Sequence, residues 1–245
     1  AQSCRKLMQD FRRYIASQCG VTSYELKDDN TPPNYTKDQM KSVYQFIFTS
    51  CASESNNFIV RSVAAAYRMC NRKIPHIVTS TIEHKSLLRC CTALAEQGLI
   101  ELTLVEANKM GFIDPDVVRR AIKPNTCLIS IMSANNETGA INDIKAIGQI
   151  AHKHLVPFHT DCVQTFGKFK LDPLDCNVDA WSVSFHKLHG PAGVGLIAIK
   201  RAFVEGFQLQ AEICGTQNND LRGGTENIMG IAGSYEALKH TWRNR

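Results

Sequence analysis

The stretch SFHKLHGPAGVGLIAI, residues 184–199, puts a serine, two histidines and a lysine at the junction of two apolar runs. AWSVS (180–184) leads into the stretch and VGLIAI (194–199) closes it, and both have the length and apolar content of buried strands. A lysine at the end of a buried strand is costly unless it is paired, deprotonated or used covalently. We therefore expect Lys187 to take part in chemistry at the edge of a sheet.

The rest of the chain repeats this alternation of short apolar runs and helical patterns. In INDIKAIGQIAHKHL, for example, isoleucine recurs every third residue along one helix face. Strands that alternate with helices and are apolar on both sides predict a mostly parallel sheet that is covered on both faces. We predict a three-layer α/β/α fold with a mostly parallel, roughly seven-stranded sheet. The predicted strands are residues 45–50, 76–80, 101–105, 127–132, 156–160, 180–184 and 194–199.

The composition argues against several classes of function. Of the 245 residues, 44% are hydrophobic, and the net charge of +5 forms no basic block, which argues against nucleic acid as a partner. No apolar run approaches the roughly 20 residues of a membrane helix, so no membrane role is expected. The ten cysteines form no C-x-x-C pair, which predicts no metal site and a reducing, cytoplasmic location. Residues 26–42 are predicted to be a surface excursion.

Side chains that can bind a ligand or take part in catalysis follow several of the predicted strands. Because ligands of open α/β sheets bind at strand ends, we expect Ser53, His84, Asp161 and Lys187 to meet in one site. This set matches the needs of pyridoxal phosphate (PLP). A lysine can bind its aldehyde as a Schiff base, and a carboxylate can keep its ring nitrogen protonated. A hydroxyl at a helix N-terminus can bind its phosphate, and a flat side chain can cover its ring.

A series of motifs then resembles one family. The chain is similar to the NifS-type cysteine desulfurases and selenocysteine lyases, which belong to the class V aminotransferase group and have the fold-type I PLP architecture. The motifs lie in the family's order between residues 46 and 227. They are FTSCASESNN, STIEH, ANNETG, HTDCVQTFGK, SFHKLHGPAGVG and LRGGTEN.

The resemblance implies roles for the residues around the PLP ring. Lys187 would hold the cofactor covalently and, with His84, move the α proton of the substrate. His84 would also stack on the ring. Asp161 would pair with the ring nitrogen, Gln164 would hydrogen-bond the phenolic oxygen, and Asn136 would meet the substrate carboxylate.

The resemblance also implies how the phosphate is held. Ser184, His186 and Ser53 would bind it, with help from the backbone amide of Ala52. Thr225 would reach the phosphate of a neighbouring subunit, which implies a homodimer with sites shared between subunits.

The chain departs from the family pattern in its loops and at its ends. Cys51 stands where the family has glycine, Ser53 stands where it has threonine, and CGTQN (214–218) replaces a glycine-rich segment and is expected to be stiffer. The domain layout expected is an N-terminal helical segment and surface loop (1–44) and a PLP-binding large domain (45–245). The small C-terminal domain, whose mobile loop carries the family's nucleophilic cysteine, is expected to be absent.

The function implied by the resemblance is cleavage of the C–S or C–Se bond of cysteine or selenocysteine. The products would be alanine and sulfur that passes to an acceptor protein. Two alternatives remain open: a non-catalytic descendant that acts as a binding or scaffold protein, and another class V lyase or aminotransferase. Simpler roles also remain open for three residues: Lys187 as a surface lysine, Asp161 as a helix cap and Asn136 as a turn residue.

Overall fold

The computed structural model describes residues 2–25, 31–170 and 172–244. Helices and strands alternate through these ranges. The strands are β1 (Thr22–Ser23), β2 (Val43–Thr49), β3 (His76–Ser80), β4 (Glu101–Val105), β5 (Thr126–Ser130), β6 (Phe158–Asp161), β7 (Ala180–Ser184) and β8 (Gly195–Lys200). The α-helices are α1 (Gln2–Cys19), α2 (Lys37–Met40), α3 (Ala52–Asn71), α4 (Lys85–Glu96), α5 (Pro115–Ala121), α6 (Ile144–Lys153), α7 (Arg201–Phe207) and α8 (Ile228–Arg243).

The strands form one eight-stranded sheet in the order β1-β2-β8-β7-β6-β5-β3-β4. β8 runs antiparallel to β2 and β7, whereas the other strand pairs of the sheet are parallel. The predicted mostly parallel sheet is therefore confirmed, with one strand more than expected. The addition is β1, which pairs Thr22 with Val43 at the edge of the sheet.

Helices cover both faces of this sheet, as a three-layer fold requires. Alternate residues of β8 show the division: Leu196 and Ala198 face a core shared with α1, α5, α6 and α8. Ile197 and Ile199 face a second core shared with α3, α4 and α7. Full burial of such a side chain contributes about 1.5–3 kcal/mol to stability. Strands that bury apolar side chains on both faces of the sheet therefore stabilise the packing of both helix layers.

The N-terminal segment joins the same core. Phe11 of α1 stacks on Tyr235 of α8 with ring centroids 4.8 Å apart. Of the predicted surface excursion 26–42, residues 26–30 lie outside the described residues, and the remainder is mostly exposed and contains α2. Thr36 and Gln39 form a capping box that starts α2. Among the described residues, no helix has both the length and the apolar character needed to cross a bilayer.

The sheet direction determines where a ligand can bind. Strands β2, β3, β5, β6 and β7 run the same way, so the segments that follow them leave the sheet at one common edge. Those segments contain the motifs singled out in the sequence except LRGGTEN, which lies between α7 and α8.

Candidate active site

A cavity of about 250 Å³ lies at this edge of the sheet. Every predicted site residue except Thr225 lines it. The lining residues are Cys51, Ala52, Ser53, His84, Met132, Asn136, Asp161, Val163, Gln164, Ser184, His186 and Lys187.

Asp161 supplies a buried carboxylate at the end of β6. The residue is only 4% exposed. Oδ2 accepts a hydrogen bond from Nδ2 of Asn56 at 2.8 Å, and Oδ1 accepts one from the backbone N–H of Val163 at 2.9 Å. Burial raises the pKa of Asp161, while these two hydrogen bonds and the nearby His84 act to lower it. A cation placed beside this carboxylate would therefore be bound favourably.

His84 occupies the start of α4. Its Nδ1 lies 3.2 Å from the backbone N–H of Ser86, which it caps, and 2.7 Å from the Ser86 hydroxyl. The histidine is exposed and lines the cavity, so it is not a core histidine satisfied by buried partners.

Glu83, which precedes His84, is buried behind it. Its Oε1 accepts hydrogen bonds from the Ser80 hydroxyl at 2.7 Å and from the Met132 backbone N–H at 2.9 Å. Burial is the main reason why its pKa rises from 4.5 to about 8, and the charge of Asp161 adds to this. Glu83 thus joins the loop after β3 to the loop after β5, and its neutral form is favoured near pH 7.

The start of α3 forms a second side of the cavity. Cys51 is the N-cap residue, but its side chain makes no capping hydrogen bond, so the first-turn amides are not occupied by their own cap. The cysteine has φ −172°, an extended conformation that needs no glycine. Ser53 was expected to precede the helix; it lies instead in the first turn, because α3 begins at Ala52.

Ser184 and His186 face this helix start from the end of β7. The Ser184 hydroxyl and Nδ1 of His186 are 2.9 Å apart. Together with the α3 amides and the Ser53 hydroxyl, they form the donor set that a phosphate group needs.

Lys187 lies in the 3-10 helix Phe185–Leu188, directly after β7. Phe185 and Leu188 are buried and anchor this turn, while Lys187 itself is exposed at the cavity. The strand before Lys187 is buried as expected, but the lysine itself is exposed, so its charge carries no cost of burial. Its position on the cavity wall is what gives the amine access to a ligand.

The structure separates the simpler roles that the sequence left open. Asp161 caps a turn through Oδ1 while Oδ2 is held by Asn56, so capping uses only one of its oxygens. Asn135, rather than Asn136, shapes the ANNETG turn, because its Oδ1 accepts from the backbone N–H groups of Glu137 and Thr138. The exposed Asn136 lines the cavity.

Two predicted residues occupy less central positions. Gln164 lines the cavity, and its Oε1 accepts a hydrogen bond from Nζ of Lys168 at 3.3 Å. Thr225 is exposed and lines a separate cavity of about 80 Å³. The structure therefore does not bring Thr225 together with the other predicted site residues.

Sequence reasoning missed two buried residues of this site, Asn56 and Glu83. Both lie inside motifs that were singled out, SESNN and STIEH, but no role was assigned to them. The available signal was a polar side chain in a segment that faces a core, where it needs a polar partner: Glu83 follows β3, and Asn56 lies on the buried face of α3.

The Ser53 and Ser184 hydroxyls, His186 and the first amides of α3 form an anion cradle. Together with a lysine and a buried carboxylate at the strand ends of an α/β/α sheet, this cradle defines a PLP-type site. The chain belongs to the aminotransferase class-V family, whose model matches residues 39–244. Enzymes of this family use pyridoxal phosphate.

Curated relatives point to one branch of this family. The chain is 40% identical to cysteine desulfurase IscS of Dictyoglomus turgidum over 196 residues, which are 80% of this chain and 48% of that protein. It is 38% identical to the mitochondrial cysteine desulfurase of Saccharomyces cerevisiae, again over 80% of this chain but 38% of the relative. The chain spans about half the length of the bacterial relative, or less for the yeast one.

Solved structures give the same result. SspA in complex with cysteine superimposes with a TM-score of 0.82 at 33% identity, covering 98% of this chain and 62% of that one. A NifS-like protein superimposes with a TM-score of 0.82 at 30% identity, covering 99% of this chain and 60% of its own. The predicted resemblance to NifS-like cysteine desulfurases and the predicted fold class are both confirmed.

The residues present fit PLP. The donor set at the start of α3 suits a phosphate, the carboxylate of Asp161 suits a protonated ring nitrogen, and the exposed amine of Lys187 suits an aldehyde. Within the described residues, no group of three His, Cys, Asp or Glu side chains is arranged to hold a metal ion.

Proposed function

We propose that this chain is the PLP-binding part of a cysteine desulfurase-like enzyme, which cleaves the C–S (or C–Se) bond of cysteine or selenocysteine. The observation that carries the proposal is that Lys187 and Asp161 line one cavity together with an anion cradle. The relatives named cysteine desulfurase support the choice of reaction within the family.

PLP, when bound, supplies an electron sink for the bond-breaking steps. Asp161 would pair with the ring nitrogen, and Asn56 and Val163 fix the direction of its carboxylate. Lys187 would provide the amine that attaches the cofactor and would act as a base toward the α proton of the substrate. His84 would stack on the ring and assist in proton movement, and its Nδ1 is engaged by Ser86, so Nε2 is the nitrogen available for this.

The phosphate would be held between the start of α3 and the end of β7. The Ser53 and Ser184 hydroxyls, His186 and the amides of Ala52 and Ser53 are the groups proposed to bind it. Gln164 is proposed to hydrogen-bond the phenolic oxygen, and Asn136 is proposed to meet the substrate carboxylate.

Partners follow from the same proposal. Sulfur released from the substrate requires an acceptor protein with a reactive thiol. Thr225, which lies outside the cavity of its own chain, is proposed to complete the phosphate site of a second copy in a homodimer. The cytoplasmic location stays a prediction.

The deciding experiment is a PLP titration of the purified chain and of Lys187→Ala. We expect the unaltered chain to gain the visible absorbance of a lysine-linked cofactor and Lys187→Ala to lose it. Lys153→Ala, which removes an exposed lysine of α6 outside the cavity, is the matched control and should behave like the unaltered chain. If Lys187→Ala absorbs like the unaltered chain, the site assignment is wrong.

Product analysis then distinguishes the reaction from its alternatives. Incubation with cysteine and a dithiol reductant, which supplies the acceptor thiol, should yield sulfide and alanine. PLP binding without sulfide would favour the scaffold alternative. Pyruvate in place of alanine would favour a different class V lyase.

A further inference from the structure

The start of α3 carries a partly buried ion pair that the proposed site does not use. Nε of Arg222 donates to Oε1 of Glu54 at 2.8 Å, and its NH2 group donates to Oε2 at 3.3 Å. The side chains are 17% and 15% exposed, respectively. Such a two-pronged contact fixes the orientation of both groups, and it joins positions 168 residues apart in the chain.

Glu54 places a negative charge at the helix end that is proposed to bind the phosphate. It is in the first turn of α3, and its Oε2 also accepts from the backbone N–H of Ser50 at 2.7 Å. The carboxylate therefore belongs to the same helical turn as Ala52 and Ser53, at the N-terminal end of a 20-residue helix that attracts anions. Burial acts to raise the pKa of Glu54, but hydrogen bonds from Arg222 and Ser50 lower it overall, so the group is charged.

Arg222 is the cation that offsets this charge. The hydrogen bond to Glu54 raises the pKa of its guanidinium, which stays charged at any working pH. Glu226 is the other acidic group that acts on Arg222, and it is also held by Nδ2 of Asn218 at 2.9 Å.

Arg222 also belongs to the loop that presents Thr225. The backbone N–H of Gly223 donates to the carbonyl of Ile213 at 2.7 Å, and Nδ2 of Asn218 donates to the carbonyl of Arg222 at 3.1 Å. These bonds make residues 213–227 a single tied loop, and the Arg222–Glu54 pair links that loop to the start of α3.

We propose that Arg222 is a positioning residue of the phosphate site: it neutralises Glu54 so that the first turn of α3 accepts a phosphate. This inference rests on the proposed function, since the phosphate is that of PLP. Arg222 does not line the cavity and acts through Glu54.

The test compares PLP with pyridoxal, which has the same ring and aldehyde but no phosphate. Both are titrated at pH 8 into the unaltered chain, Arg222→Gln, Glu54→Gln and the double variant. Arg222→Gln leaves the Glu54 charge uncompensated and should weaken PLP binding by about tenfold while leaving pyridoxal binding unchanged. The double variant, which has neither charge, should recover most of the lost PLP affinity.

Glu54→Gln gives a prediction of opposite sign. It removes the carboxylate and leaves Arg222 unpaired near the phosphate, so PLP binding should stay equal or become tighter. A purely structural pair would behave differently, because either single variant would weaken PLP and pyridoxal together and the double variant would not recover. That outcome would overturn the proposal, and so would a weaker PLP affinity in Glu54→Gln alone.

The two proposals fail in distinguishable ways. If the unaltered chain binds neither PLP nor pyridoxal, the proposed function is wrong. If it binds both, but Arg222→Gln lowers their affinities equally, the proposed function stands and the role of Arg222 is refuted.

Discussion

Replacing Glu83 by glutamine tests whether the buried carboxyl of Glu83, which lies behind His84, is neutral in the folded protein. Glu83 is 6% exposed, and both of its hydrogen-bond donors, Ser80 and Met132, reach Oε1. Oε2 has no partner among the described residues. Glutamine keeps the shape and the acceptor at Oε1, but it cannot ionise.

The expected change in the free energy of unfolding follows from the pKa of Glu83. Burial raises the pKa of Glu83 from 4.5 to about 8. Between pH 4.5 and about 8 the carboxyl therefore keeps its proton in the folded state, whereas it has lost that proton in the unfolded state. The free energy of unfolding of the unaltered chain should therefore fall as pH rises from 4.5 to about 8, and level off above it. At about 1.4 kcal/mol per pKa unit, the Glu83 contribution to this fall is up to roughly 5 kcal/mol.

Urea unfolding of the unaltered chain and Glu83→Gln between pH 5 and pH 9 measures this contribution. At pH 5 the variant should be less stable by about 1–3 kcal/mol, because its amide N–H groups are buried without a partner. By pH 9 the order should reverse, because only the unaltered chain then buries a charge. Contributions from titrating groups that do not interact with Glu83, such as the buried His159, cancel in the difference.

Glu101→Gln is the matched control. This glutamate is exposed and its pKa is lowered, chiefly by a hydrogen bond from Lys123, so its replacement should give no gain in stability at high pH. A difference between Glu83→Gln and the unaltered chain that stays constant from pH 5 to pH 9 would refute the reasoning about Glu83.

Further predictions concern the support of the site. Asn56→Ala removes the hydrogen bond of 2.8 Å to Oδ2 of Asp161, and PLP affinity should fall by at least about tenfold in an absorbance titration. An unchanged affinity would show that the carboxylate needs no such support. Gly195→Ala would place a Cβ 2.4 Å from the carbonyl carbon of Cys51, so urea unfolding should reveal a loss of about 1–3 kcal/mol together with weaker PLP binding. Gly206→Ala, which meets nothing within 4 Å, is its control and should be neutral or stabilising; equal losses in the two variants would contradict the close-approach argument.

The layered fold was within reach of sequence reasoning because its signal is local. Runs such as HIVTS and AWSVS are apolar on both sides, and each recurs as a strand with the predicted bounds. β1 was missed because two residues are too few to carry a period, and its pairing with β2 depends on tertiary contact.

The site was predictable where each residue directly follows a strand, as Asp161 and Lys187 do. The supporting contacts were not, because they join residues that are far apart in the chain. Asn56 reaches Asp161 across 105 residues, and nothing in either local pattern specifies that pair. The exposure of Lys187 also escaped prediction, since a 3-10 turn that buries Phe185 turns the lysine outwards.

The placement of β8 affects when the site can form during synthesis. Among the described residues, β2, which leads to the anion cradle, pairs with the centre of the sheet only through β8, where Phe48 pairs with Leu196. Until residues 195–200 have left the ribosome, β2 has no central strand to pair with, so the sheet does not yet fix the start of α3. Such distant pairing is slow to form, so a nascent chain should acquire affinity for PLP late and in one step.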